Sequence, residues 1–186
     1  AMNVSTQVLD GFSIVEESLQ RSTDNSAKEN QSIYGNFAEQ MKSNPEKVRE
    51  WFEKATAVKR MSDSLYNFAQ ELKVEIVREA DGADGDIHNI ERKDDLEAAS
   101  HVMLAPGTGK GKKLFDAINS FRERILKMVP DASQHKIIAG NLSTTLPKKA
   151  KTMGKNWQEY MFEEMPVAAA VTLLTKLQND VRYAEG

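Results

Sequence analysis

Three stretches of this chain carry residue types that could do chemistry. Gly107-Thr108-Gly109-Lys110-Gly111-Lys112 has the glycines and lysines of a phosphate-binding loop. Such a loop needs G-x-x-x-x-G-K followed by Ser or Thr, because backbone amides cradle the phosphates and the hydroxyl holds Mg²⁺. Paired with Gly109-Lys110, the leading glycine position holds Leu104 and the hydroxyl position holds Gly111. Paired with Gly111-Lys112, those positions hold Pro106 and Lys113, and no strand precedes either. The segment reads as a flexible turn leading into a helix.

Asp81-Gly82-Ala83-Asp84-Gly85-Asp86 has the look of a calcium loop. An EF-hand needs oxygen ligands at positions 1, 3 and 5 and Gly at 6. Counted from Asp81, those places hold Ala83, Gly85 and Asp86, so an acidic solvated loop is expected. The histidines are His88, His101 and His135, none at helical ligand spacing from another and none near a Cys, since Cys is 0. They read as loop or surface residues rather than zinc ligands. No G-x-S-x-G nucleophile context exists. Glu16-Glu17 and Glu163-Glu164 are adjacent in sequence and diverge on a helix, so neither pair can share a substrate. Glu163 and Glu164 are expected to complement the dipole of the helix that follows. No catalytic, cofactor-binding or metal-binding residue is expected, and the chain reads as non-enzymatic.

The elements that would position these residues are helices. Residues 2–43 are expected to form one helix, with Val4, Val8, Phe12, Val15 and Leu19 at helical spacing and Ile33, Phe37 and Met41 resuming the stripe. The polar stretch between, 20–32, lacks Pro and Gly, so the helix can run through it. Asn44 and Pro45 mark a cap and a first helical position. Over 45–80, Val48, Trp51, Ala55, Val58, Ser62, Leu65, Ala69, Leu72 and Ile76 form a heptad seam with one polar member, Ser62. From Val48 to Ile76 it is roughly 42 Å long at 1.5 Å per residue. Two such helices joined by a short turn must lie antiparallel.

Later elements are shorter. A loop is expected at 81–94, a short helix at 95–104, a strong helix at 112–129, a further short helix at 131–142 and an irregular stretch at 143–156. Only Lys136 to Ala139 could be a strand, and it has nothing to pair with. Trp157, Tyr160 and Phe162 are expected to anchor the end of the bundle. Pro166 should open a last helix running to about Ala184, with Val167, Ala170, Val171, Leu174, Leu177 and Val181 on its apolar face. The fold class expected is all-α: an antiparallel helical bundle, residues 1–186 as one domain, with two long N-terminal helices, later shorter helices and a loop-rich segment.

Composition narrows the partners. Net charge is −3, with 40% hydrophobic and 28% charged residues, as in an ordinary soluble domain. No apolar run reaches the roughly 20 residues a membrane span needs. The start lacks the basic and apolar blocks of a signal peptide, and it falls inside a helix, so a preceding segment is expected. Charge is uneven: residues 106–155 carry 11 Lys and Arg against 3 Asp and Glu. Lys148, Lys149 and Lys151 cluster there, as solvated side chains or as a contact patch for an acidic partner or lipid headgroups. No aromatic residues interleave with them, so nucleic acid is not expected. The stripe Val8, Phe12, Val15 and Leu19 reads either as core or as a face that packs on a second copy, since a two-fold interface reuses one stripe on both chains.

Met165 to Glu185, the opening Ala1 to Phe12, Glu79-Ala-Asp-Gly82 with Lys93-Asp-Asp-Leu96, and Trp157 to Phe162 together resemble the first periplasmic domain of the GldM/PorM family. Their order spans nearly the whole chain. The resemblance implies a periplasmic, non-enzymatic part of the type IX secretion and gliding-motility machinery of Bacteroidetes, without a cofactor. It also implies an inner-membrane anchor that precedes the first helix and pairs with GldL/PorL. A homodimer in the full-length protein, and outer-membrane-associated ring proteins at the far end, are implied as partners. The membrane helix and later domains of that family lie outside this sequence. A bundle that senses a periplasmic ligand is the alternative, and it would need a polar-lined pocket between helices.

Overall fold

The computed structural model describes residues 5–186; Met2, Asn3 and Val4 of the expected first helix lie outside them. Eight helices form among the described residues: α1 (Thr6–Ser43), α2 (Pro45–Asp81), α3 (Ala98–Leu104), α4 (Gly111–Met128), α5 (Ala132–Asn141), α6 (Lys148–Thr152), α7 (Trp157–Phe162) and α8 (Val167–Glu185). They build an all-α bundle led by the two long antiparallel helices. No strand forms among the described residues, and Lys136 to Ala139 lie inside α5.

The polar stretch of α1 is continuous helix. Ser5 caps its start by accepting from the Val8 N–H at 3.3 Å. Within the stretch, Gln20 donates to Asp24 one turn on at 3.0 Å, and Thr23 donates back to the Leu19 carbonyl at 2.6 Å. Asn44 does not cap α2 through its side chain; its N–H closes α1 on the Gln40 carbonyl at 2.8 Å, and Pro45 sits at the start of α2.

α8 lies in the groove between α1 and α2. It runs parallel to α1, with Thr172 opposite Phe12 and Glu185 opposite Tyr34. On its other side the apolar core assembles from Leu65, Leu72, Ile76 and Val77 of α2, Leu114, Ile118, Phe121 and Ile125 of α4, and Val167, Val171, Leu174 and Val181 of α8. Each large side chain so buried contributes about 1.5–3 kcal/mol. Trp157 and Phe162 close one end of this core, with ring centroids 6.0 Å apart edge to face, and Phe115 stands 5.8 Å from Trp157. Tyr160 points outward instead, 45% exposed, because a six-residue helix has room for only one buried face.

The α2 seam is buried in one half only. Ser62, Leu65, Ala69, Leu72 and Ile76 are buried, while Val48, Ala55 and Val58 are partly covered and Trp51 is 59% exposed. α8 ends at Glu185 beside Ser62, so the seam is covered only in part toward the hairpin turn. Three smaller expectations also change. The stretch 143–156 contains α6, and the short helix expected from residue 95 begins at Ala98. The Asp95 carboxylate accepts from the N–H groups of Glu97 and Ala98 at 2.8 and 3.0 Å and so acts as its cap. Glu163 pairs with Lys155 at 3.4 Å rather than serving the α8 dipole; the first N–H groups of α8 bond to loop carbonyls, Val167 to Asp95 and Ala168 to Lys93, both at 3.2 Å.

Candidate functional site

The segments that suggested chemistry are structural corners. In 107–111 the amides bond within their own chain: Gly109 to the Ala105 carbonyl at 2.7 Å, Thr108 to the same carbonyl at 3.3 Å, and Lys110 to Val102 at 3.0 Å. Gly111 is packing-limited, since a Cβ there would stand 2.6 Å from Cβ of Gln158. Lys110 pairs with Glu75 across to α2. The acidic loop is closed by Asp81, whose two carboxylate oxygens each accept a backbone N–H at 2.8 Å, from Glu91 and Arg92. His101 Nδ1 lies 2.9 Å from Glu79, and no group of three or more His, Asp or Glu side chains that could hold a metal ion occurs among the described residues.

The concentrated polar chemistry lies between α1, α2 and α8, in two layers. In the first, Lys73 of α2 is completely buried. Its ammonium donates to Gln178 of α8 at 2.9 Å and to Gln20 of α1 at 3.5 Å, and Glu16 of α1 stands 3.8 Å away. Thr175 of α8 donates to Glu16 at 2.9 Å, and the Gln178 amide donates to Gln70 at 3.0 Å and to the Tyr66 carbonyl at 3.2 Å. Burial pushes the Lys73 ammonium below the ordinary lysine range, and the charge of Glu16 opposes that shift.

In the second layer Arg182 of α8 donates to Ser62, Asp63 and Glu185, each at 2.9 Å, and lies over the Tyr66 ring. Glu185 is the hub: Ser62 donates to it at 2.7 Å, Tyr34 at 2.6 Å and Asn30 at 3.2 Å. Burial, reinforced by the bond to Glu185, drives the Tyr34 phenol well above its ordinary range. All three helices therefore meet through side chains that bond to one another, although Arg182 Nε is buried without a partner. A mainly apolar groove of about 240 Å³ opens beside Leu114, Trp157, Leu174 and Leu177, and a smaller, more polar one of about 170 Å³ lies between Glu16 and Glu17 of α1, His88 and Lys93 of the loop, and Ala168 of α8.

The stripe Val8, Phe12, Val15 and Leu19 is not core. Val8 and Val15 are each 50% exposed, Phe12 and Leu19 are partly covered, and the neighbouring Ile14 is 68% exposed. The buried face of α1 is Leu9, Thr23 and Asn30. Lys148, Lys149 and Lys151 stand exposed around buried Ala150 on α6, and none has an ion-pair partner within 4.0 Å among the described residues. Of the polar seam, only Ser62 stood out in the sequence. A usable signal was there, because Glu16, Thr23 and Asn30 recur every seventh residue between Leu9 and Phe37. A polar residue at seam positions reads as register specification rather than solvation.

A long hairpin clasping a parallel C-terminal helix through polar layers, backed by an apolar body, defines a helical packing module. The chain belongs to the family described as the GldM N-terminal domain, whose family model matches residues 7–186. This is a family of gliding-motility and type IX secretion components, structural motor parts rather than a known enzyme family. A search of curated proteins found no match.

Proposed function

We propose that this domain is a non-enzymatic periplasmic scaffold that passes movement outward from an inner-membrane anchor in the type IX secretion and gliding motor. The observation that carries the reading is α1: 38 residues of unbroken helix, about 57 Å long at 1.5 Å per residue, lying along α8. A helix of that length continuing a membrane segment is a stiff lever. No helix of the described residues is itself long and apolar enough to cross a membrane. In this reading the anchor pairs with a GldL/PorL-type protein and the outer-membrane-associated ring proteins are met by later domains, all through parts outside these residues.

The outward stripe of Val8, Phe12, Val15 and Leu19 suits packing against a second copy in the homodimer, and Lys148, Lys149 and Lys151 offer a basic contact patch. Leu19→Pro in the full-length protein should abolish secretion while assembly of the complex persists, because proline breaks a helix interior. Secretion that survives Leu19→Pro contradicts the lever. Phe12→Asp should lower the molar mass by light scattering from dimer toward monomer, and an unchanged dimer removes the stripe from the interface.

A further inference from the structure

The molecule is held together by two kinds of contact. The apolar core runs through α2, α3, α4, α5, α7 and α8 and takes in no residue of α1. α1 meets α8 instead by polar contacts: Thr175 donates to Glu16 at 2.9 Å and Asn30 to the Arg182 carbonyl at 3.0 Å, the Thr172 hydroxyl is shared between the Ala168 and Phe12 carbonyls at 2.8 and 3.1 Å, and Thr23, whose proton goes to Leu19, stands 3.4 Å from Asn179. Each can be exchanged for a bond to water, so separating the helices loses little per contact. Lys73 sharpens the point. Its ammonium lies against Glu16 and Gln20 of α1 as well as Gln178 of α8, so departure of α1 would open one side of a completely buried charge to water.

Toward the hairpin turn, the hydrogen bond from Tyr34 to Glu185 at 2.6 Å is joined by a groove that Phe37 and the half-exposed Ile33 line with Ala55 and Val58 of α2. We propose that α1 is a displaceable arm: Thr6 to about Asn30 separates from α8 as a unit, hinged near Tyr34 and Phe37, while the body from α2 to α8 stays folded. The inference concerns this chain alone and does not depend on the secretion reading.

Hydrogen exchange read by mass spectrometry on the purified chain tests it. Amides of residues 9–30 should exchange together, about tenfold or more faster than those of 169–181 in α8, because units of low local stability open ahead of global unfolding. The chain has no Cys, so Thr23→Cys with Asn179→Cys gives a single possible intramolecular bridge. Oxidised, that variant should bring residues 9–30 to the protection of α8, and reduction should undo it. Glu16→Leu combined with Lys73→Met, an apolar weld at the same layer, should also slow exchange in α1. Equal exchange of α1 and α8 in the natural chain overturns the proposal. So does fast exchange of residues 9–30 that persists in the bridged form, which would make it local fraying rather than separation.

Discussion

α1 and α8 lie side by side and point the same way, yet α8 buries 12 of its 19 residues and α1 only 3 of its 38. Eight of the buried residues of α8 are apolar, among them Val167, Val171, Leu174 and Val181. Two of the three in α1, Thr23 and Asn30, are polar. Extent of contact and contribution to the core are therefore separate properties. α8 is bound by area removed from water, which is non-directional and cumulative. α1 is bound by paired groups that fix its register and position without adding much net stability. A helix meant to be moved relative to a body suits the second kind of attachment.

The contrast can be broken by substitution, and the largest effect belongs to the body. Leu72→Ala should cost about 2–5 kcal/mol in urea unfolding, as expected for a fully buried leucine. Leu19→Ala on the arm should cost less than about 1 kcal/mol, since that side chain is only partly covered. Comparable losses at the two positions would erase the distinction.

Next in size is the hub of the second layer. Arg182→Ala removes the cationic partner of Glu185, whose side chain is 3% exposed, and should cost about 3 kcal/mol, the low end for a broken buried pair because Ser62, Tyr34 and Asn30 still donate to Glu185. A smaller loss would mean that the layer relaxes into water.

The first layer predicts a pH effect. Because burial lowers the Lys73 ammonium in the folded state, the unfolded chain binds more protons at that site. Stability should then rise with pH between the lowered folded value and the ordinary lysine value of about 10.4, with the full penalty present below that window. The stability of the natural chain relative to Lys73→Met should accordingly increase from pH 7 to pH 10, measured by urea unfolding at each pH. A constant difference contradicts the assignment. The smallest effect is expected on the outer face of the arm, where Val15→Ser should change stability of the isolated chain by less than about 0.5 kcal/mol.

How far these features were legible in the sequence follows the same division. The apolar stripe of α8 reported its burial at Val167, Ala170, Val171, Leu174 and Val181, with Leu177 only partly covered, because a wide hydrophobic face has one low-energy place to go. The stripe Val8, Phe12, Val15 and Leu19, legible either as core or as a face for a second copy, is not core in this chain. A three-to-four spacing shows which residues share a face, not what covers that face, and here the adjacent face, carrying Glu16, Thr23 and Asn30, docks. The α2 seam was right in its spacing and half right in its burial, since its cover thins where α8 ends beside Ser62. Lys73 and Gln178 were hidden because polar residues at seam edges look like solvated flanks until a partner helix supplies their hydrogen bonds. The helix α6 escaped because Lys148 to Thr152 is too short to show a period.

The most direct test of the account is to prepare the chain beginning at Asn44, without α1, and follow its unfolding by circular dichroism and by the fluorescence of buried Trp157. A body built on its own apolar core should remain helical and unfold cooperatively, with a lower Tm than the natural chain. A non-cooperative melt, or a chain without fixed structure, would show that α1 belongs to the core after all.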